Sequence, residues 1–188
     1  MRHKTRGLWL IGSIVALSAC GSSSTTAGSS TAASPAASAS PSSGAAALAK
    51  AAEYEGTYNG TWKNTTFNTT GSIKLTIRVD KNDSKVEMTL TLGGSVFGGT
   101  APGPLLMDAD PEDDGGLSID DKLDAFGETQ IDIDPQGNIT WTSSDVPSPR
   151  VKSFTAKGII TGSAVKMTSD ITFRDGSPVA HDTVELTK

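Results

Sequence analysis

Residues 72–80, with the sequence SIKLTIRVD, decide the fold class because apolar and polar side chains alternate along them without a break. Successive side chains of a β-strand point to opposite faces, so this pattern predicts a strand with one buried and one solvated face. Val86, Met88, Leu90 and Leu92 repeat the alternation after a turn at residues 81–84. Together the two runs predict a β-hairpin.

Alternating runs of the same kind recur along the second half of the chain. They cover residues 131–133, 138–142, 154–160, 165–173 and 179–187, with turn-forming residues between them. With residues 54–62 at the start, we count eight strands and no convincing helix. Consecutive hairpins of short strands predict an all-β domain, which we interpret as an antiparallel up-and-down barrel of about eight strands. A two-sheet β-sandwich is the alternative.

The opening strand carries Gly60, Thr61 and Trp62, followed by Lys63 and Asn64. This arrangement resembles the G-x-W first strand of the lipocalin and avidin-like barrels, the calycins. The resemblance favours a barrel and implies that Trp62 plugs its closed end. It implies no particular ligand, because no biotin-binding set or later lipocalin motif matches this sequence.

The inward-facing positions of the predicted strands carry Ile, Leu, Val, Met, Phe and Trp, and no charged residue is expected among them. A barrel of this size is either filled by side chains or encloses one small ligand. Because an apolar interior favours an apolar guest, we predict that the barrel binds or carries a small apolar molecule. Trp62, Phe97 and Trp141 are the residues expected to contact it.

Residues 93–128 are predicted to be a long loop inserted into the barrel domain. The first half, GGSVFGGTAPGPLL at residues 93–106, is rich in Gly and Pro. Its Val96, Phe97, Leu105 and Leu106 suit a lid across an open barrel end. Loops longer than about 12 to 15 residues are uncommon in compact domains and are often functional.

The second half of this segment carries eight acidic residues and one lysine between Asp108 and Asp124. With Asp110 at position one and Gly115 at position six, it resembles the twelve-residue calcium loop of EF-hands and dockerins. The resemblance implies a Ca²⁺ ion held by Asp110, Glu112, Asp114, Gly116, Ser118 and Asp121. Pro111, the glutamate at position three and the short aspartate at position twelve depart from that loop. A solvated acidic loop is therefore the other interpretation.

The N-terminus predicts export and lipid anchoring. A basic region at residues 2–6 precedes an apolar segment that ends near Leu17, the layout of a secretory signal peptide at residues 1–19. Residues 17–20, LSAC, resemble the lipobox of bacterial lipoproteins, which implies diacylglycerol on Cys20 and an acyl anchor in the bacterial cell membrane. A conventional signal peptide with an incidental cysteine is the alternative.

Residues 20–52 consist largely of Ser, Ala, Thr, Gly and Pro and are predicted to be a disordered tether. Within them AAALAKAA, residues 45–52, is helix-prone but short, and we assign it to the tether. A flexible chain of this length reaches roughly 30 Å. The barrel domain, residues 53–188, is therefore expected close to the lipid surface.

The charge of the mature chain excludes nucleic acid as a partner. The full chain carries 16 basic and 21 acidic residues, and signal-peptide removal takes away three basic residues and no acidic one, which leaves a net charge of −8. Nucleic-acid binding depends on cationic neutralisation of phosphates. Anionic headgroups would also repel this domain, so the acyl anchor is the expected membrane contact.

The sequence does not predict an enzyme. His181 is the one histidine beyond the signal peptide, and we interpret it as a surface residue. No G-x-S-x-G nucleophile elbow is present, and a single cysteine excludes Cys/His zinc sites. We therefore predict a non-catalytic, lipid-anchored envelope protein that binds a small apolar ligand. The alternative is a structural or adhesive surface lipoprotein with a calcium-stabilised loop.

Overall fold

A computed structural model describes residues 43–188 of the chain. The predicted signal peptide, Cys20 and most of the predicted tether lie outside these residues. The helix and strands are α1 Ser43–Tyr54, β1 Gly56–Asn64, β2 Thr69–Asp80, β3 Lys85–Leu92, β4 Leu105–Pro111, β5 Leu117–Leu123, β6 Gly127–Ile133, β7 Asn138–Ser144, β8 Val151–Ile160, β9 Ala164–Phe173 and β10 Ala180–Thr187. A short 3₁₀ turn, Val96–Gly98, follows β3.

The strands form a closed antiparallel barrel in which each strand pairs with the next along the chain. Pairing of β10 with β1, in which Leu186 lies opposite Gly60, closes the cylinder. The predicted up-and-down barrel is therefore confirmed, and the sandwich alternative is wrong. The expected count of about eight strands is corrected to ten.

The two additional strands, β4 and β5, lie within residues 93–128, which the sequence analysis assigned to a loop. Leu105, Met107 and Ala109 of β4 are buried, and the alternate residues Leu106, Asp108 and Asp110 are exposed. The acidic residues that suggested a loop thus occupy the wet face of a strand. A strand can carry charged residues on its solvated face and still alternate between polar and apolar side chains. The acidic composition of this segment therefore hid the two-residue repeat of a strand.

The pairing between β4 and β5 is short. These strands share only the pairs Asp110–Ser118 and Pro111–Leu117, next to their hairpin turn. Every other neighbouring pair of strands keeps five or more pairs in register. Beyond the hairpin, β4 and β5 therefore separate.

Helix α1 occupies residues that were assigned to the end of the disordered tether. Its Ala47, Ala51 and Tyr54 are buried, and it packs on β2, β3 and β4. An isolated helix of twelve residues is marginal in water, so this one depends on its apolar face meeting the barrel. The Tyr58 hydroxyl donates to the Tyr54 carbonyl at 2.8 Å, which ties the helix end to β1.

Trp62 lies towards the end of β1, away from the end where α1 leads into that strand. Its indole Nε1 donates to the Gly93 carbonyl at 2.9 Å. Gly71 makes room for the ring, since a Cβ there would collide with both the indole and that carbonyl oxygen. The calycin resemblance implied that Trp62 plugs the closed end, whereas the α1 end is filled by Tyr54 and Tyr58 instead.

No helix among residues 43–188 is both long and apolar enough to cross a membrane.

Candidate functional site

The barrel encloses a cavity of about 390 Å³. All ten strands contribute lining side chains, because the inward parity of each strand is largely apolar. The volume falls within the range of about 300 to 1,000 Å³ that is typical of small-molecule sites. Much of the wall is aliphatic, from Ile73, Leu75, Ile77, Met88, Leu90 and Leu92.

The cavity reaches the surface at the barrel end opposite α1. Phe67, Thr69, Ser95, Gly98 and Arg150 are exposed and line the cavity. We call these five residues the mouth. Phe67 packs edge-on against the inward-facing Phe173 with ring centroids 5.9 Å apart, so an aromatic pair borders the opening.

The 3₁₀ turn Val96–Gly98, which we call the lid turn, lies against the mouth. Phe97 has φ 51° and ψ 28°, a left-handed conformation that few non-glycine residues adopt. Its ring packs edge-on against Phe126 at 5.2 Å and against Phe154 at 6.1 Å. These contacts hold the strained residue over the cavity.

The lid predicted from sequence is therefore smaller than expected. Val96 and Phe97 line the cavity, but the other two residues assigned to the lid belong to β4. Leu105 is buried in the wall, and Leu106 points outwards and is 71% exposed.

An aromatic cluster of Phe97, Phe126, Trp141 and Phe154 forms one side of the cavity. Trp141 lies 4.8 Å from Phe126 and 5.2 Å from Phe154 between ring centroids. Its Nε1 donates to the Ser143 hydroxyl at 2.8 Å, and Ser143 lies 2.9 Å from the Thr129 hydroxyl. The polar edge of the indole is thus satisfied inside the wall, and its apolar surface remains for the cavity.

The structure brings the three predicted ligand contacts, Trp62, Phe97 and Trp141, to the same cavity. Sequence analysis missed the contribution of Phe126, which lies in the turn between β5 and β6. That turn was hidden inside the supposed loop, and only a recognised β5–β6 hairpin would have drawn attention to it.

The cavity also contains a polar row that the sequence analysis did not foresee. Asn64 of β1, Asp182 of β10 and Ser169 of β9 are cross-strand neighbours and line the cavity together. The Ser169 hydroxyl donates to Asp182 Oδ2 at 3.2 Å. The expectation that no charged residue faces inwards is therefore wrong. Asp182 shares its parity with buried Ala180 and Leu186, and that alternation was the available signal.

Within the described part of the chain, the Asp182 carboxyl group lacks a hydrogen bond on one of its two oxygens. Its Oδ1 is buried and has no hydrogen-bond partner among residues 43–188. Burial raises the pKa of Asp182 above the usual value, and the Asn64 amide and Ser169 hydroxyl offset part of the rise. A carboxylate accepts hydrogen bonds and donates none, so Oδ1 can accept a hydrogen bond from a donor that enters the cavity.

The predicted calcium ligands lie around the β4–β5 hairpin. The Glu112 amide donates to the Gly116 carbonyl at 2.9 Å, and Asp114 Oδ1 accepts from the Gly116 amide at 2.9 Å. The Ser118 hydroxyl donates to the Glu112 carboxylate. Three of the six lie on the strands themselves: Asp110 is in β4, and Ser118 and Asp121 are in β5.

The segment thus forms a tight turn in place of the open loop of an EF-hand. Residues 43–188 hold no group of three or more His, Cys, Asp or Glu placed to bind a metal ion. Calcium binding stays a prediction, and a melting temperature raised by millimolar calcium would support it.

His181 lies on the outer face of β10, where its Nδ1 is 2.7 Å from Asp170 Oδ1 and both side chains are mostly exposed. The sequence analysis placed it at the surface, and the structure agrees.

No protein-family model matches this chain, and no curated protein matches it. Among solved structures, the chain is similar to the crystal structure of Rv2717c from M. tuberculosis. The sequence identity is 13%, the TM-score is 0.47, and the alignment covers 76% of this chain and 96% of that one. The similarity concerns a β-barrel, and nothing about a ligand or an activity follows from it.

Proposed function

We propose that this protein is a non-catalytic, lipid-anchored envelope protein whose barrel binds a small apolar molecule. The observation that carries the proposal is the apolar cavity of about 390 Å³ that opens at the mouth. Closed barrels of similar strand number are often filled by side chains, so a void of this size is unused volume unless it holds a guest.

The driving force for binding would be transfer of apolar surface from water into the barrel. Each methylene that enters contributes about 0.8 kcal/mol. Affinity for an alkyl series should therefore rise with chain length until the cavity is full. The aromatic cluster adds flat, rigid surface against which such a guest can pack.

A cavity-filling variant tests the proposal. Ala156 is buried in β8 between Trp141 and Ser169 of the neighbouring strands, and it lines the cavity. Ala156→Phe should fill part of the void and weaken binding of an alkyl probe such as decanol by about tenfold or more, since overlap leaves less room for the guest. Fluorescence of Trp62 and Trp141 would report the titration.

Thr155→Phe is the matched control, because Thr155 precedes Ala156 but faces solvent. It should leave decanol binding unchanged. Equal affinity of both variants and the wild-type protein would contradict binding inside the barrel. Circular dichroism would verify that both variants retain the β-barrel.

The lipid anchor in this proposal is supported by the sequence around Cys20. Labelled palmitate supplied to the host should be incorporated into the wild-type protein but not into Cys20→Ser. Equal incorporation would refute the anchor while leaving the cavity proposal intact.

A further inference from the structure

We propose that the polar row Asn64–Asp182–Ser169 recognises the polar end of the ligand, an amphipathic molecule whose hydroxyl or amine donates a hydrogen bond to Asp182. The inference rests on the proposed function and names the class of ligand for the same cavity.

The polar row lies at the mouth end of the cavity. Asn64 is the last residue of β1 and Asp182 is the third residue of β10, so both lie at the mouth end of their strands. The α1 end of the cavity is lined by aliphatic side chains such as Ile77, Ile160 and Leu186. A ligand that inserts its apolar tail towards α1 would leave its polar end beside the row.

The hydrogen-bond donors of the row leave one carboxylate oxygen without a partner. The Ser169 hydroxyl donates to Asp182 Oδ2, Asn64 Oδ1 accepts from the Phe67 amide at 2.6 Å, and a hydrogen bond from the Asn64 side chain lowers the pKa of Asp182. Asp182 Oδ1 remains buried without a donor. Burying an unpaired acceptor is unfavourable because its hydrogen bonds to water are lost, so a guest that supplies an O–H or N–H restores a missing interaction.

The charge of Asp182 disfavours a fatty acid as the ligand. A ligand carboxylate next to Asp182 would place two like charges in a site with little solvent, which is unfavourable. Among the cavity-lining residues, the competing anchor for a carboxylate is Arg150 at the mouth, whose guanidinium lies 5.9 Å from the Phe173 ring centroid. Arg150 is exposed, however, and its charge is already solvated, so it gains less from a ligand than buried Oδ1 does.

The experiment compares four decyl probes on the full chain carrying Cys20→Ser, with tryptophan fluorescence as the readout. Decanol and decylamine offer a donor, decyl methyl ether offers none, and decanoate carries a negative charge. We expect decanol and decylamine to bind about tenfold more tightly than the ether and decanoate, as for hydrogen bonds to a charged group.

The variant Asp182→Asn keeps the side-chain shape and removes the charge. It should lower decylamine affinity about tenfold and raise decanoate affinity, because the charge that attracts one and repels the other is gone. Asp132→Asn is the control, since Asp132 faces solvent on β6 and its loss should change neither affinity.

The failures are distinguishable. If no probe binds the wild-type protein, the proposed function itself fails. If the ether binds as well as decanol and decylamine, or if Asp182→Asn leaves all four affinities unchanged, the cavity stands and the inference is overturned. Tightest binding of decanoate that is lost in Arg150→Gln would assign the anchor to Arg150 and would also overturn the inference.

Discussion

The two ends of the barrel are built differently. At the α1 end, Ala47, Ala51 and Tyr58 are almost completely buried, and the Tyr58 hydroxyl is hydrogen-bonded to the chain around it. One buried polar atom at each end has no hydrogen-bond partner among residues 43–188, the Tyr54 hydroxyl at the α1 end and Asp182 Oδ1 at the mouth. Only Asp182 lines the cavity, as does the conformationally strained Phe97. The two ends therefore differ in access from the cavity, and under the proposed function the α1 end stabilises the barrel while the mouth binds the ligand.

The strongest way to break this contrast is to disrupt the α1 end. Ala51→Glu places a charge on the buried face of α1, where it has no water and no partner. We expect the free energy of unfolding to fall by about 3 kcal/mol, because burying an unpaired charge is among the costliest substitutions. Urea denaturation followed by circular dichroism would measure the loss.

Ala49→Glu is the control for this substitution. Ala49 lies on the exposed face of α1, so the same side chain should change the free energy of unfolding by less than about 0.5 kcal/mol. Similar losses for the two variants would mean that α1 does not pack on the barrel through Ala51.

A smaller loss is expected at the mouth end of the wall. In Gly71→Ala the new methyl group meets the Trp62 indole and the Gly93 carbonyl, so the strands must shift. Overpacking of this kind costs about 1 to 3 kcal/mol. Gly103→Ala should cost far less, since nothing lies within 4 Å of its Cβ position. An unchanged Trp62 emission spectrum in Gly71→Ala would contradict this account of the tryptophan.

The lid turn should matter more for exchange than for stability. Phe97→Ala removes two edge-on ring contacts but replaces a bulky side chain in a left-handed conformation, so we expect a net loss of about 1 kcal/mol. Decanol should dissociate several-fold faster, as stopped-flow fluorescence would report. Leu106→Ala is the control, and a similar acceleration there would argue against a gate at Phe97.

The sequence predicted the strands well wherever apolar and polar residues alternated and no other feature suggested a different structure. Residues 72–80 and 86–92 became the β2–β3 hairpin, with the expected side chains turned inwards. The prediction failed at β4 and β5, where acidic residues on the outer faces suggested a calcium loop and hid the alternation of apolar and polar side chains. It failed again at α1, whose helix depends on tertiary packing that local propensity does not encode.

The candidate site was predictable in its aromatic part and not in its polar part. Trp62, Phe97 and Trp141 could be selected because large apolar residues seek the interior. Asp182 lies inside the predicted strand 179–187, and it was missed because a charged residue is rarely expected on an inward face. The alternation of β10 pointed to Asp182, and the cross-strand register, which puts it between Asn64 and Ser169, adds the other two residues of the row.

The last prediction concerns the stability cost of that row. Because burial raises the pKa of Asp182, the folded protein holds this proton more tightly than the unfolded chain does. The wild-type protein therefore loses stability as the pH rises from the ordinary value of 3.8 through the raised pKa. Asp182→Asn has no such loss, so without ligand it should be more stable by about 1 kcal/mol at about pH 7.5, and the gain should vanish at about pH 3.

Two neighbouring ionisable residues also act on Asp182. His181 lowers the pKa of Asp182 and Asp170 raises it, and these two residues pair with each other on the outer surface. Asp132→Asn should change stability by less than about 0.5 kcal/mol at either pH. If Asp182→Asn were instead less stable at neutral pH, the carboxylate would be a structural element of the wall, and the division between a stabilising end and a recognising end would not hold.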